Sequence, residues 1–335
     1  MNLKDIAAMA GVSTATVSNV LNGNTGKVSP KTREKVERII KESDYQPNAM
    51  ARSLAKKESR IIGLVIPYIG SNENFLMNPY YSQMIAALEQ YVRNRNYYVM
   101  FRCVPDCADV IPLLSSWNVD GAFFLGVTEE DVSRIRQALH VPIVFLDTYT
   151  DGEDVITVGA DDYRGGYLSA KYLIGKGHRS IALTCPDYTV PGVVQERYLG
   201  FKTACEECGI SLDASDIYRI DTSYRSAVSL GQDIVLSGRG YTAVATMSDI
   251  VAMGIMEGIR QCGYSVPEDI SVIGFDNLPE SEYITPKLTT IAQNFDQKAR
   301  QAVEYMFDSI EKKEQKPVNI KTPVQLMERQ TVREI

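Results

Sequence analysis

Two sets of residues in this sequence are able to do chemistry, and both are suited to recognition rather than to bond-making. The first lies in LKDIAAMAGVSTATVSNVLNG, Leu3 to Gly23. Ile6, Ala10, Val12, Val17, Val20 and Leu21 recur there at the three-and-four spacing of two short helices. Gly11 falls at the break, where a sharp turn favours a residue without Cβ. If Val17, Val20 and Leu21 face inward, Thr14, Ala15, Ser18 and Asn19 share the outer face of the second helix, with Thr16 beside them. Such a helix-turn-helix can lay short polar side chains against base edges in a major groove. A helical hairpin with a solvated polar face is the plainer alternative.

The second set sits where apolar runs end. Arg197 starts a helical stretch, Asp276 ends ISVIGFD, Asp147 closes VFLD, and Ser248 and Asp249 end YTAVATMSD. Planar or multiply hydrogen-bonding groups at strand ends, with aromatic faces nearby, suit small polyols and sugars. The alternative is that Arg197 and Asp276 only pair with each other across a cleft. Tyr80, Tyr81, Tyr188 and Tyr224 are either stacking faces for a sugar ring or packing residues. Trp117, just before a buried strand, is expected in the core.

Enzymatic readings find no support. The sequence has no nucleophile elbow, phosphate loop or metalloprotease helix, and its only histidines are His140 and His178. Gly238-Arg239-Gly240 follows a helical stretch and reads as a helix-ending turn. Cys205 and Cys208 form a C-x2-C without a second pair, inside an amphipathic helix pattern, so no metal and no cofactor are expected.

The elements that must position these groups can be read along the chain. Ser29-Pro30 opens a third helix whose Val36, Ile39 and Ile40, with Tyr45 behind them, close a small three-helix core. From Ile61 onward, apolar runs alternate with helical patterns, the signature of an α/β fold with parallel strands. RIIGLVIP, YYVMFR, DGAFFLG and VPIVFLD are expected strands, with helices over Pro79 to Asn94 and Glu129 to Leu139 and a proline-interrupted crossover from Val104 to Val119. A second set begins near Val155: VITVGAD, SIALTCP, DIYRI, YTAVATMSD and ISVIGFDN as strands, with helices near Tyr163 to Gly175, Val194 to Cys208, Tyr224 to Leu236 and Asp249 to Cys262. After LTTIAQNF a helix crosses back, followed by two short strands. Two doubly wound lobes then enclose a crevice at the carboxyl ends of their strands. The expected division is residues 1–46 for the headpiece and 47–60 for a linker. Residues 61–160 with 292–322 form one lobe, and 161–291 with 323–335 the other.

Charge separates the same regions. The whole chain of 335 residues carries a net charge of −7, yet residues 1–60 hold 11 Lys and Arg against 6 Asp and Glu, leaving 24 against 36 for the rest. A basic module on an acidic body confines phosphate attraction to the module. No leader precedes the first helix and no stretch approaches the roughly 18 apolar residues of a membrane span, so a cytosolic protein with reduced thiols and no membrane partner is expected.

The run DIA..AGVS.ATVS.VLNG, the VS..TR.KV opening of the third helix and YQPNAMARSLA together resemble the headpiece of the lactose/galactose repressor family of bacterial transcriptional regulators. The similarity continues through the body: DD..GG..A..L...GH..I.L from Asp161, ER..GF from Glu196, SD..A.G from Ser248, VP.DISVIGFDN from Val266 and PKLTTI from Pro286. The resemblance implies an all-α headpiece joined to two sugar-binding-protein-like lobes. It also implies a hinge from Asn48 to Lys56 that becomes helical on operator DNA. Asn48, Ala51 and Leu54 would contact DNA there, with Leu54 as the apolar wedge in the minor groove. Arg197 and Asp276 match ligand-contacting positions. The sequence departs from the pattern at Asn19, where many relatives carry Arg, at Asp162 and Ser248, where Asn is frequent, and at Asn294, where proline is common.

Together these readings lead to the expectation of a homodimeric repressor on a pseudo-palindromic operator in double-stranded DNA. A small effector, sugar-like in chemistry, would bind between the lobes and shift their closure by its differential affinity for two closures. An activator or a corepressor-dependent regulator, answering to a nucleobase, nucleoside or phosphoprotein, is the alternative. A solute-binding protein of a transporter would need a leader and would have no use for Leu3 to Arg60. Since Ile335 ends the sequence without a heptad tail, a dimer rather than a tetramer is expected.

Overall fold

The structure is a computed structural model that describes residues 2–21, 23, 25–43, 58–67, 76, 78–150, 152, 154–312 and 316–335. It divides into Met1–Arg60 and Ile61–Ile335.

In the first unit, α1 (Leu3–Ala10), α2 (Thr14–Leu21) and α3 (Pro30–Glu42) bury Ile6, Ala10, Val17, Val20, Val36 and Ile39 against one another. Asn2 and Asp5 form a reciprocal cap on α1, satisfying amides that have no partner within the helix. Gly11 ends that helix at φ 66°, the left-handed conformation its lack of Cβ permits. Ser29 caps α3, and Pro30 occupies its first turn. Ile40 packs at the margin of this core, and Tyr45 lies outside the described residues.

The second unit opens with β1 (Ile61–Pro67), α4 (Pro79–Asn94), β2 (Tyr98–Val104), α5 (Ile111–Ser116), β3 (Gly121–Leu125), α6 (Glu129–Ala138), β4 (Ile143–Leu146) and β5 (Ile156–Ala160). The proline-interrupted crossover is a 3-10 turn followed by the short α5. There follow α7 (Asp162–Gly175), β6 (Ile181–Cys185), α8 (Val193–Glu207), β7 (Ile217–Arg219), α9 (Tyr224–Leu236), β8 (Ala243–Thr246), α10 (Asp249–Gln261), β9 (Ser271–Asp276), α11 (Glu280–Tyr283) and β10 (Thr289–Ala292). The chain ends with α12 (Phe295–Lys312), β11 (Val318–Thr322) and β12 (Gln325–Met327).

These strands form two six-stranded sheets, ordered β11-β5-β4-β3-β1-β2 and β12-β10-β9-β8-β6-β7. All pairings are parallel except β10 with β12. The Val155 run, which starts the second set along the sequence, belongs to the first sheet: β5 pairs with β4 and β11. The reason is connectivity, because α12 returns from the second sheet to pack on β4, β5 and α4 and delivers β11 beside β5.

Each sheet is covered on both faces, as parallel strands require. Trp117, expected in the core, is 51% exposed; Val119, two residues on, takes the buried place just before β3. Cys205 and Cys208 do lie at the end of a helix, one buried and one exposed, and Gly238 and Gly240 turn the chain after α9 at φ 64° and 68°. Among the described residues no helix is long and apolar enough to cross a membrane, and no cluster of His, Cys, Asp and Glu could hold a metal ion.

Candidate functional site

On α2, Val17 and Val20 are buried while Thr14 and Ala15 are exposed and Ser18 and Asn19 are half-exposed on the outer face. Thr16 differs from its neighbours. Its amide donates to Ser13 Oγ at 3.1 Å and its hydroxyl lies 2.9 Å from the same oxygen, so it serves the start of the helix. Asn48, Ala51 and Leu54 lie outside the described residues.

Between the two lobes lies a cavity of 430 Å³, lined by Tyr80, Tyr81, Asp147 and Tyr149 from one side and by Arg197, Met247, Ser248 and Asp276 from the other. Leu125, Val127, Pro186, Val190, Pro191 and Val193 add an apolar wall. Asp147 follows β4, Ser248 follows β8 and Asp276 ends β9, the carboxyl ends at which open α/β sheets present ligand groups. Asp147 and Asp276 have φ values of 47° and 122°, backbone that side chains rarely adopt, held at a cost of about 1–3 kcal/mol each.

Arg197 is placed by the contact of α7 with α8. A Cβ on Gly166 would meet the carbonyl of Arg197 at 1.9 Å, and one on Gly200 would meet the carbonyl of Tyr163 at 1.9 Å. The two helices therefore touch backbone to backbone, and the guanidinium stacks on Phe275 at 3.6 Å from its ring centre. Its Nε donates to Asp162 Oδ1 at 2.8 Å and its Nη1 to the Met247 carbonyl at 2.5 Å. Asp276 Oδ1 is 3.9 Å from Nη1. Arg197 thus pairs chiefly with Asp162 and only distantly with Asp276, and all three come from the second lobe, so the alternative of a mutual Arg197–Asp276 pair across the cleft is not the arrangement found. Burial raises the pKa of Asp162 and pushes that of Asp276 up to about 7, with Arg197 opposing both shifts.

Two further residues expected to contact a ligand lie outside the cavity lining. Asp249 is wholly buried, accepting from the Leu278 amide at 2.7 Å and the Thr290 hydroxyl at 2.5 Å, and so ties α10 to the ends of β9 and β10. Its pKa is driven well up by burial, then by Asp276. Tyr224 starts α9 with 44% of its surface exposed. Tyr188 stacks on Tyr198 at 4.3 Å and is packing.

Several site residues escaped the sequence reading. Tyr149 donates from the first lobe to Asp162 Oδ2 at 2.8 Å. Lys298, wholly buried, donates to Asp147 Oδ1 at 2.6 Å and to Gln293 Oε1 at 2.8 Å, and Gln293 Nε2 donates to Asp276 Oδ1 at 2.7 Å. The Tyr80 hydroxyl donates to Asp147 Oδ2, and burial, followed by Asp147, raises the tyrosine's pKa well above its ordinary value. A signal for Lys298 was present. It stands four residues before Ala302 and eight before Met306, on the apolar stripe of α12.

A family model described as bacterial regulatory proteins, lacI family, matches residues 2–48, and one described as a periplasmic binding protein-like domain matches residues 170–332. The chain is 33% identical over 340 residues to the HTH-type transcriptional repressor PurR of Vibrio vulnificus (strain CMCP6), covering 99% of both. It is 32% identical over 312 residues to the ribose operon repressor of Haemophilus influenzae (strain ATCC 51907 / DSM 11121 / KW20 / Rd), covering 92% of this chain and 91% of that one. Among solved structures, the lac repressor dimer bound to operator and the anti-inducer ONPF matches with a TM-score of 0.88 at 28% identity, covering 99% of each chain.

Proposed function

The chain belongs to the lacI family of bacterial regulatory proteins, as a DNA-binding transcriptional repressor and not an enzyme, and on that premise we propose that it is a homodimer controlled by a neutral, sugar-like effector held between its lobes. Its operator is a pseudo-palindrome, each half read by one α2, and the operon under control serves carbohydrate use. One relative is a ribose operon repressor, and another protein of this fold was solved as a dimer on its operator with an anti-inducer, which supports the reading.

The observation that carries it is Ser248. The residue belongs to the cavity lining, and its hydroxyl is buried with no hydrogen-bond partner among the described residues. A buried polar group without a partner costs about 1–3 kcal/mol, which a ligand hydroxyl reaching it would remove. Around it Asp147 and Asp276 accept and Arg197 donates, so vicinal hydroxyls find both kinds of partner.

A thermal-shift panel of sugars and nucleosides on the full-length protein, combined with operator selection from random DNA, tests the reading. We expect a sugar to raise the melting temperature. Ser248→Ala should weaken that sugar by about fivefold to tenfold while leaving the unliganded melting temperature unchanged or higher. Stabilisation by nucleosides alone would replace the sugar reading, and a Ser248→Ala protein responding at wild-type concentrations would move the effector out of this cavity. Operator anisotropy fixes the sign: an inducer lowers the affinity, a corepressor raises it.

A further inference from the structure

At the cavity floor a chain of charged and amide groups runs from one lobe to the other, its two ends in the cavity lining and its middle behind them. It begins at Tyr80 and Asp147 in the first lobe, continues through Lys298 and Gln293, and ends at Asp276 in the second. Neither Lys298 nor Gln293 lines the cavity. We propose that these two are positioning residues that hold the site carboxylates of the two lobes in one hydrogen-bonded frame, through which the occupancy of the cleft sets the angle between the lobes. The proposal rests on the reading of the cleft as the effector site.

The frame allows only one arrangement. An ammonium group only donates and an ionised carboxylate only accepts, so the Gln293 amide, placed between Lys298 and Asp276, has a single orientation that satisfies both. Lys298 is wholly buried, and a buried ammonium is tolerated only where acceptors surround it. Here those acceptors are Asp147 and Gln293, with the Tyr80 ring 5.7 Å away.

Location gives the frame its leverage. Gln293 and Asn294 are the only residues between β10, in the second sheet, and α12, which packs on the first. Asn294 starts that helix by accepting from the Gln297 amide at 2.9 Å, and the Gln293 amide donates to the Asp276 carbonyl at 3.2 Å. The segment about which the lobes would turn is thus fastened to both site carboxylates. A rotation that lengthens either Gln293 bond by an ångström breaks it, because hydrogen bonds fade steeply beyond their normal range.

The test uses the full-length protein on an operator selected from random DNA by the wild type, with no small molecule added. Lys298→Met and Gln293→Leu should each change operator Kd by about fivefold to tenfold, within the range of allosteric couplings. Because both break one frame, the double variant should change it no more than the larger single variant does. Lys298→Arg, which keeps the charge, should recover most of the wild-type affinity. A lysine that merely supports the fold would lower the melting temperature while operator Kd stayed within about twofold of wild type, and that result, or effects that multiply, would overturn the proposal. Should Lys298→Met not fold, Gln293→Glu serves: it can accept from Lys298 but sets a second carboxylate against Asp276, so it should shift Kd further than Gln293→Leu. A cleft that bound no sugar would undo the functional reading and leave this measurement unaffected, so the two failures are distinguishable.

Discussion

The outer face of α2 and the floor of the inter-lobe cavity both present short polar side chains, yet they are built in opposite ways. Thr14 and Ala15 stand exposed, and Ser18 and Asn19 half-buried, on a helix whose stability comes from Val17 and Val20 on its other side. At the floor, Asp147, Asp162, Arg197, Asp276 and Lys298 are buried or nearly so, and each holds another in place. The difference teaches where function and stability share residues. On α2 the outward groups can change without loss of fold, so a reading specificity carried by them would be free to vary. On the floor each of these charged groups also keeps a neighbouring charge from being stranded, so a change to one of them alters the fold as well as the binding.

The largest break in that contrast is expected from Asp162→Ala. It leaves the buried Arg197 without its 2.8 Å partner and Tyr149 without an acceptor. Breaking a buried ion pair on one side costs about 3–5 kcal/mol, so the melting temperature of the body should fall by on the order of 10 °C. Asp162→Asn keeps an acceptor for Arg197 and should lose less than half as much. Equal losses in the two variants, measured by calorimetry, would mean that the charge and not the hydrogen-bond geometry holds Arg197.

Gly200→Ala comes next. Its new Cβ would lie 1.9 Å from the Tyr163 carbonyl, with backbone rather than a pliable side chain in the way. The helices must separate, at about 1–3 kcal/mol or more for an overpacked contact. Arg197, one turn earlier on α8, should move with them. Effector affinity and melting temperature should therefore both fall, whereas a loss of stability alone would detach Arg197 from the helix contact.

How legible each region was follows from the same difference. The α2 face could be read because it depends on local periodicity: inward residues at i, i+3 and i+4 leave only certain positions outside. The sheets were legible as apolar runs, and Asp147, Ser248 and Asp276 as the residues that end them. What a list of strand ends cannot supply is which partner each buried charge takes, since Asp162 lies 35 residues from Arg197 and Lys298 lies 151 from Asp147. Asp249 looked equivalent to Ser248 for that reason, although its carboxyl turns inward to the Leu278 amide while Ser248 belongs to the cavity lining.

On the exposed side of the comparison, Asn19→Arg should change what is read without changing what is folded. The Asn19 amide can pair with the N6 and N7 of adenine, whereas a guanidinium prefers the O6 and N7 of guanine, a discrimination of about 1–3 kcal/mol. Selected half-sites should switch base at one position while the melting temperature stays at the wild-type value. An unchanged half-site would make Asn19 a backbone-phosphate contact.

The smallest effect is expected one helix further on, at Ser29→Ala. Ser29 Oγ accepts from the Thr32 amide at 3.3 Å and lies 2.8 Å from the Thr32 hydroxyl, so the substitution exposes an amide at the first turn of α3. Loss of such a cap costs about 1 kcal/mol. Pro30 still sets the backbone of the first turn, so the helix should fray at its start without shifting its register. Val36 and Ile39, which close the core against α1 and α2, lie beyond the frayed turn. Hydrogen exchange at the first α3 amides should therefore quicken by about fivefold, the factor that 1 kcal/mol gives. Operator affinity should fall by no more than about that factor, with base preference at every position unchanged, because fraying alters the fraction of competent headpiece and not the α2 side chains. A changed base preference would show instead that the start of α3 sets the angle of the reading helix, and the separation between folding and reading on this side of the comparison would no longer hold.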